Sequence, residues 1–181
     1  MSGDGIWGTI AEEARAESPL WGSALRPAAA RDATPVFSPL GEDAYALGLE
    51  TIYEGYLLHY GRPRLFDPGD RDTAVLLGDY LYAHGLVRIA TLGEVGTVGH
   101  LSELISLCAQ ARAEGSRAPA ADGAAWAATA AGLGADGLPL AEARSALREE
   151  GDPGPLDRLA RLRAGDDAVE QALRLHADRV D

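Results

Sequence analysis

The longest apolar-periodic segment of this chain runs without a proline from Gly69 to Leu92. Gly69 and Asp70 supply a turn residue and an N-cap, and Gly93 supplies a C-terminal stop, so the segment is predicted to form one helix. A helix of this kind must bury its apolar face against other elements. The fold is therefore predicted to be arranged around this segment.

The middle of this helix contains a glycine and a carboxylate, Gly78 and Asp79. At about 100° per residue, Asp79 shares a mostly apolar stripe with Val75 and Ala83. A buried carboxylate needs a partner, so we predict that Asp79 is a structural anchor bonded to an arginine or tyrosine on a neighbouring helix. A direct chemical role is the alternative. Gly78 and Gly85 lie seven residues apart and are predicted to be packing notches where another helix approaches closely.

Glycine and proline divide the rest of the chain into further segments with helical periodicity. A linker rich in proline, alanine and glycine is predicted for residues 115–123. No segment shows the two-residue alternation of a strand, so we predict an all-α helical bundle in one domain of residues 1–181. Its parts are short helices and a connector over 1–40, a core over 42–135 and short helices over 136–181. The predicted helices cover residues 6–16, 19–30, 42–60, 70–92, 94–114, 124–133, 139–150, 152–163 and 166 to the C-terminus.

The charge and the cysteine count limit the possible partners and compartments. Acidic residues outnumber basic residues by 28 to 16, which gives a net charge of −12. Nucleic acids and anionic membranes bind clustered positive charge, so neither is an expected partner. Cys108 is the single cysteine, which excludes an internal disulfide and fits a reducing cytoplasm. The N-terminus lacks the features of a signal peptide, and no segment has the ~18 continuous apolar residues of a transmembrane helix, so we expect a soluble, cytoplasmic protein.

Few side chains could carry metal or nucleophilic chemistry. The four histidines have no ligand spacing with one another or with Cys108, so we expect no metal ion or cofactor in this chain. Cys108 lies on an apolar helix face and is predicted to be a buried, inert thiol. The glycines at 93, 96 and 99 lack the spacing and the preceding strand of a dinucleotide site. The histidines are His59, His84, His100 and His176.

Two segments resemble the trans-polyprenyl diphosphate synthases. Ala74–Ala83, with the sequence AVLLGDYLYA, resembles the L-x-G-D-Y-L-x-x-x-A helix of that family, and Tyr56–His59 resembles the S-L-I-H that precedes its first aspartate-rich motif. Residues 127–135 are similar to the alanine-rich helix that follows the family's Lys-Thr pair. The resemblance covers about residues 42–135. It implies a truncated isoprenoid-synthase-like bundle from a family that condenses isopentenyl diphosphate with an allylic diphosphate.

The chain departs from the family where the family binds Mg²⁺. The family has D-D-x-x-D after the residue that corresponds to His59, and this chain has Tyr60-Gly61-Arg62-Pro63-Arg64. Clustered carboxylates hold the Mg²⁺ ions that neutralise the leaving diphosphate, and this segment has none. Ala120, Ala121 and Asp122 stand at the Lys-Thr position. The resemblance therefore implies a chain without catalytic residues, whose Mg²⁺ is bound only in a partner.

A second acidic sequence lies near the C-terminus, where Asp166, Asp167 and Glu170 have the form D-D-x-x-E. Acidic residues are favoured at the first turn of a helix by capping and by the helix dipole. We predict that these residues cap a helix. A Mg²⁺ site is the alternative.

A short relative without these motifs resembles the small subunit, component 1, of the two-component hexaprenyl and heptaprenyl diphosphate synthases. The resemblance implies a non-catalytic subunit that supports a larger catalytic chain in isoprenoid biosynthesis, such as that of menaquinone side chains. Arg62 and Arg64 lie where a diphosphate approaches in the family, so both are candidate diphosphate ligands, with solvated surface arginines as the alternative. A second hypothesis is a free-standing helical module that binds a prenyl chain or a diphosphate without a partner.

Tyrosines of the predicted core could serve the interface of such a subunit. They supply large amphipathic surfaces suited to an interface or to an apolar tunnel, and ordinary packing is the alternative. They are Tyr45, Tyr53, Tyr56, Tyr80 and Tyr82.

Overall fold

The computed structural model describes residues 3–93, 95–115, 118–134 and 139–180, and over these ranges the protein is all-α. No β-strand occurs among the described residues, where one isolated antiparallel bridge pairs Leu25 with Phe66. Short 3-10 turns occupy Ala28–Ala30, Ser38–Leu40 and Asp43–Tyr45. The helices are α1 (Gly3–Glu17), α2 (Pro19–Ser23), α3 (Ala46–Tyr60), α4 (Arg71–Ala90), α5 (Val95–Glu114), α6 (Ala118–Gly132), α7 (Leu140–Glu150), α8 (Gly154–Ala164) and α9 (Asp166–Val180).

Capping residues begin α2 and α4 where the sequence predicts, whereas α3 begins at Ala46 and not at residue 42. The side chain of Asp70 accepts a hydrogen bond of 2.8 Å from the Thr73 amide at the start of α4. The side chain of Ser18 accepts one of 3.1 Å from the Leu20 amide at the start of α2. These bonds satisfy amides that have no partner within the first turn of a helix.

The predicted helix over 19–30 is wrong beyond Ser23. The chain leaves α2 and runs beside the loop that follows α3. There the Arg26 amide donates to the Leu65 carbonyl over 2.9 Å, and the Asp67 amide donates to the Ala24 carbonyl over 2.7 Å. Pairing with a distant loop therefore replaces the local helical bonds.

The predicted linker over 115–123 is also wrong in its second half, because α6 begins at Ala118. Alanine is the strongest helix former, and a proline is tolerated in the first turn of a helix. The small residues of this segment therefore extend α6 through Asp122 and Gly123.

The central element of the fold is α3, and not α4 as the sequence predicts. Every residue of α3 from Gly48 to Leu58 is buried. α4 packs along one side of α3, while α9 and the 3-10 turn Ser38–Leu40 contact it elsewhere. One core cluster runs from Val36 to Val180 and includes α5–α9, and a smaller cluster joins α1 to α3 and α4.

α3 and α4 approach closely at glycines on both helices. A Cβ atom at Gly85 would lie 2.4 Å from Cγ1 of Ile52 and 3.0 Å from the Gly48 carbonyl oxygen. A Cβ atom at Gly78 would lie 3.2 Å from the Gly55 carbonyl oxygen. Gly48 thus faces Gly85, and Gly55 faces Gly78, so the two backbones meet at points seven residues apart on each helix.

This packing reverses the predicted faces of α4. Gly78 and Gly85 lie on the buried face with Leu77 and Leu81. Asp79 lies on the opposite face, and its side chain is 65% exposed. The prediction that Asp79 is buried is therefore wrong, because the glycine face of α4 turns towards α3.

The helices α5, α6, α8 and α9 form the second part of the bundle. Every residue from Ala121 in α6 to Leu133, just beyond its end, is buried, and Trp126 lies in the middle of this segment. Because most residues of α6 are alanine or glycine, the helix has little side-chain bulk, and α5, α8 and α9 pack closely around it. None of the helices in the described ranges combines the length and the apolar character needed to cross a bilayer.

Replacing Gly85 with alanine should destabilise the fold by about 1–3 kcal/mol, because the new methyl group overlaps Ile52 and the α3 backbone. The matched control is Gly99→Ala on α5, where an added Cβ meets nothing within 4 Å. Removing a helical glycine there should stabilise the protein by up to about 1 kcal/mol. Urea unfolding of both variants measures the difference. Equal stabilisation by the two substitutions would contradict the close approach of α3 and α4.

Candidate functional site

The loop from Gly61 to Asp70 joins α3 to α4 and holds the predicted diphosphate ligands. Arg64 is 2% exposed, and its guanidinium lies between two α3 carboxylates that are fully buried, Glu50 and Glu54. Its Nη1 donates to Oε2 of Glu50 over 2.6 Å, and its Nε donates to Oε2 of Glu54 over 2.9 Å. Arg64 thus joins the loop to the interior of α3.

Both carboxylates also hold the backbone around them. Oε1 of Glu54 accepts the Arg64 amide at 2.8 Å and the Leu65 amide at 2.7 Å. Oε1 of Glu50 accepts the amides of Val36 and Ser38, each at 3.2 Å. The two glutamates therefore fix the loop after α3 and the connector before it.

Aromatic rings cover the remaining surface of the Arg64 guanidinium. Its carbon Cζ lies 4.5 Å from the ring centre of Trp7 on α1 and 5.0 Å from that of Tyr53. Burial alone would lower the pKa of Arg64, but the charges of Glu50 and Glu54 outweigh it and raise the pKa. Arg64 therefore stays charged, as a buried ion-paired group should.

The predicted arginine pair is divided between the interior and the surface. Arg64 is not a solvated surface arginine. A diphosphate could bind its guanidinium only by displacing Glu50 and Glu54. Arg62 is exposed, and its amide donates to the Arg179 carbonyl over 2.9 Å. Diphosphate binding stays a prediction, and it now depends mainly on Arg62.

Arg62 borders a surface cavity of about 260 Å³ between the loop, the segment after α2 and the end of α9. Arg26, Arg64 and Arg179 also line this cavity, so it borders both of the predicted arginines. Arg179 is hydrogen-bonded to Asp32, and Arg26 lies 3.6 Å from a carboxylate oxygen of Asp67. Burial would raise the pKa of Asp32, but hydrogen bonds from Thr34 and the charge of Arg179 lower it. The cavity thus combines several arginines with carboxylates that partly neutralise their positive charge.

Asp79 contacts a neighbouring helix, although through a histidine and not through the predicted arginine or tyrosine. Its Oδ1 lies 3.2 Å from Nε2 of His59 at the end of α3. Burial lowers the pKa of His59, and the nearby Asp79 charge only opposes that shift. His59 is therefore mostly neutral near pH 7. The contact is a close approach of a surface carboxylate to this ring.

A second buried polar cluster joins α3, α5 and α6 around Asp122, which is fully buried. The hydroxyl of Tyr56 donates to Oδ2 of Asp122 over 2.6 Å, and Nε of Arg112 donates to the same oxygen over 2.5 Å. Burial raises the pKa of Asp122, and these two bonds oppose the shift. Burial and the Asp122 charge raise the pKa of the Cys108 thiol well above its usual range. The cluster connects three helices, and the Arg112 side chain at its edge is 17% exposed.

The acidic residues at the start of α9 surround an arginine of α8. Arg161 lies 3.6 Å from Asp166 and 3.3 Å from Glu170, and it also pairs with Asp157 at 2.8 Å. Asp166 and Asp167 lie in the first turn of α9, where acidic residues are favoured. No three histidine, cysteine, aspartate or glutamate side chains among the described residues are grouped to hold a metal ion.

The chain matches no family model, and neither a curated protein nor a solved structure is significantly similar to it. The resemblance to the polyprenyl diphosphate synthases therefore depends on the residues quoted above.

Sequence analysis missed the most buried charges of the protein. Glu50 and Glu54 stand four residues apart in a helix otherwise rich in apolar residues, and this spacing places both carboxylates on one face. An arginine in the following loop is the natural partner for such a pair. Asp122 was missed because its segment was predicted to be a linker.

Replacing Glu54 with glutamine should destabilise the protein by about 3–5 kcal/mol, because Arg64 then keeps a buried charge with one carboxylate fewer. The matched control is Asp157→Asn, which removes one carboxylate from the partly exposed Arg161 pair and should cost at most about 1 kcal/mol. Chemical unfolding measures both. Similar losses for the two variants would contradict the importance of the buried pair.

Proposed function

We propose that this chain is the non-catalytic small subunit of a heteromeric trans-polyprenyl diphosphate synthase. The sequence resemblance suggests the family. The observation that carries the proposal is an apolar stripe on the outer face of α4, formed by Leu76, Tyr80, Ala83, Val87 and Ala90 and called here the α4 stripe.

The α4 stripe has the spacing of a helix–helix interface. Its residues follow one another at intervals of four, three, four and three, which is the pattern of coiled-coil seams. Leu76 is 57% exposed and Val87 is 60% exposed. Large apolar side chains grouped on one surface are typical of contact sites for other proteins.

Two further exposed apolar side chains follow α4 closely in sequence. Leu92, just after the helix, is 45% exposed, and Val95, the first residue of α5, is 85% exposed. Tyr80 lies in the stripe and is held by stacking on Trp21 at a ring-centre distance of 6.0 Å. The surface thus combines a supported aromatic ring with exposed aliphatic groups, which is typical of the centre of an interface.

The proposed occupant is a larger catalytic chain of the same ancestry. A helix with the same seven-residue apolar repeat fits the α4 stripe, and a related chain would carry such a helix at the corresponding place. Its aspartate-rich motifs would hold the Mg²⁺ that neutralises the leaving diphosphate. The role proposed for this chain is to support that enzyme, and by resemblance to influence the length of its product.

Replacing Leu76 and Val87 with glutamate should abolish the complex with a full-length homologue from the same genome that carries both aspartate-rich motifs. Burying two carboxylates in an apolar interface is unfavourable enough to weaken binding at least 100-fold. Co-purification and prenyl transfer with Mg²⁺ measure the complex. The matched control is Leu162→Glu, which replaces a 79% exposed leucine on α8 and should leave binding unchanged.

Two results would contradict the subunit proposal. One is Mg²⁺-dependent condensation of isopentenyl diphosphate by this chain alone. The other is a complex that tolerates the paired α4 substitutions as well as it tolerates Leu162→Glu.

A second candidate function is a free-standing module that binds a prenyl diphosphate without a partner. The cavity beside Arg62 favours it, because Arg26 and Arg179 line the same space. Arginines bind phosphate oxygens through charge-assisted hydrogen bonds.

If this second function holds, geranylgeranyl diphosphate should bind the isolated chain without Mg²⁺, and Arg62→Ala should weaken it about tenfold or more, since a hydrogen bond to a charged group is worth about 1.5–3 kcal/mol. Titration calorimetry measures this affinity. Arg148→Ala, an exposed arginine of α7 outside the cavity, is the control. The absence of saturable heat with the unsubstituted chain would remove this function.

A further inference from the structure

A pocket of about 280 Å³ lies between α1, the connector before α3 and the first turn of α3. α1 lines it with Ile6 and Trp7, and α3 lines it with Ala46 and Leu47. Its volume is just below the range of about 300–1,000 Å³ in which drug-sized ligands bind, so a ligand of this pocket must be small. Because these four lining residues are apolar, the body of the ligand must be mostly apolar too.

The connector forms another wall of the pocket, and its backbone is held by α3. Pro35, Ser38 and Pro39 line the pocket. The amides of Val36 and Ser38 both donate to Oε1 of the buried Glu50, each over 3.2 Å, and the proline rings restrict the backbone further. This wall is therefore fixed before any ligand arrives.

The indole ring of Trp7 is held in place by the same buried ion pair. Trp7 is 5% exposed, and the guanidinium carbon of Arg64 lies 4.5 Å from the centre of its ring. Arg64 in turn is bonded to Glu50 and Glu54 of α3. A pocket whose walls are already fixed loses little conformational freedom when a ligand binds.

The charges around the pocket favour a cation. Asp43 lines the pocket and is exposed, and in the part of the chain that the structure describes its carboxylate forms no ion pair. The buried group of Glu50, Glu54 and Arg64 has two carboxylates for one guanidinium, so it adds a further negative charge beside the walls. In a chain with a net charge of −12, such a field attracts cations and repels anions.

We propose that this pocket binds a small organic cation, a primary amine whose apolar body is about the size of one aromatic ring. The ammonium group pairs with the exposed carboxylate of Asp43. The apolar body packs against Trp7, Leu47 and the two prolines of the connector. The pocket shares no residue with the α4 stripe or with the cavity beside Arg62, so it is independent of both functions proposed above.

The test uses two probes of the same shape at pH 7, protonated 2-phenylethylamine and neutral 2-phenylethanol. Methyl resonances of Ile6 and Leu47 in a ¹³C-labelled full chain report binding at the pocket. The amine should shift these resonances saturably, and the alcohol should bind at least about tenfold more weakly, because it lacks the charge that pairs with Asp43. No saturable shift with the amine, or equal affinity for both probes, would overturn the proposal.

Removal of the carboxylate identifies the group that binds the ammonium. Asp43→Asn should weaken binding of the amine about tenfold, because the charge-assisted hydrogen bond is lost. The matched control is Asp72→Asn, which changes an exposed aspartate in the first turn of α4 and should leave the affinity unchanged. Equal affinity of the Asp43→Asn and Asp72→Asn variants would overturn the role of Asp43.

Substitutions that fill the pocket locate the binding. Ala46→Trp places a large ring in the pocket and should abolish the shift that the amine causes at Ile6. Ala44→Trp adds the same ring to an exposed neighbouring position outside the lining and should preserve it. Circular dichroism checks the fold, and Pro39→Trp, at an exposed lining position, replaces Ala46→Trp if that variant does not fold. Unchanged binding in a folded pocket-filling variant would contradict the proposed site.

Discussion

The buried ion pair of Arg64 with Glu50 and Glu54 is the interaction on which the rest of the structure depends. α3 lies at the centre of the protein, so every face of it is removed from water, including the face with the two glutamates. Two buried carboxylates without a counter-charge would be too costly to retain. Arg64 supplies that charge from the loop after α3, and the four backbone amides bound by the glutamates fix the segments on either side. The path of the chain before and after α3 is thus fixed by the bonds that these two glutamates make.

The contact between α3 and α4 then decides what α4 presents to solvent. Because glycines on both helices allow their backbones to meet, Gly78 and Gly85 must turn inwards. The opposite face, with Leu76, Val87 and Asp79, must turn outwards. A single close contact therefore explains both the exposed carboxylate and the exposed apolar stripe. A helix with polar residues on its outer face would pack against α3 equally well. The interior therefore does not require the apolar α4 stripe, and for this reason the stripe is the feature that most strongly favours the proposed role in assembly.

Much of the helix order could be predicted from the sequence, because glycine, proline and capping residues mark the ends of helices locally. The buried face of α4 could not be predicted by periodicity, since the helix has two apolar faces and a glycine contributes little apolar area to either. Choosing between the faces requires knowledge of the glycines on α3. The extended course after Ser23 was missed for a similar reason, because it depends on pairing with a loop some forty residues away. Glu50 and Glu54 can be recognised in the sequence as an i, i+4 pair. Their burial in the core is explained only by the ion pair with Arg64.

The same ion pair bears on whether the carboxylates of α3 could bind Mg²⁺ beside the loop Gly61–Asp70. Magnesium binding needs carboxylate oxygens that are free to coordinate it in octahedral geometry. Glu50 and Glu54 are the carboxylates of α3 nearest to the loop, and their oxygens already accept bonds from Arg64 and from backbone amides. A metal there would have to displace a buried guanidinium and release both flanking segments. These two carboxylates are therefore committed to holding the fold together and are not free to coordinate a metal ion.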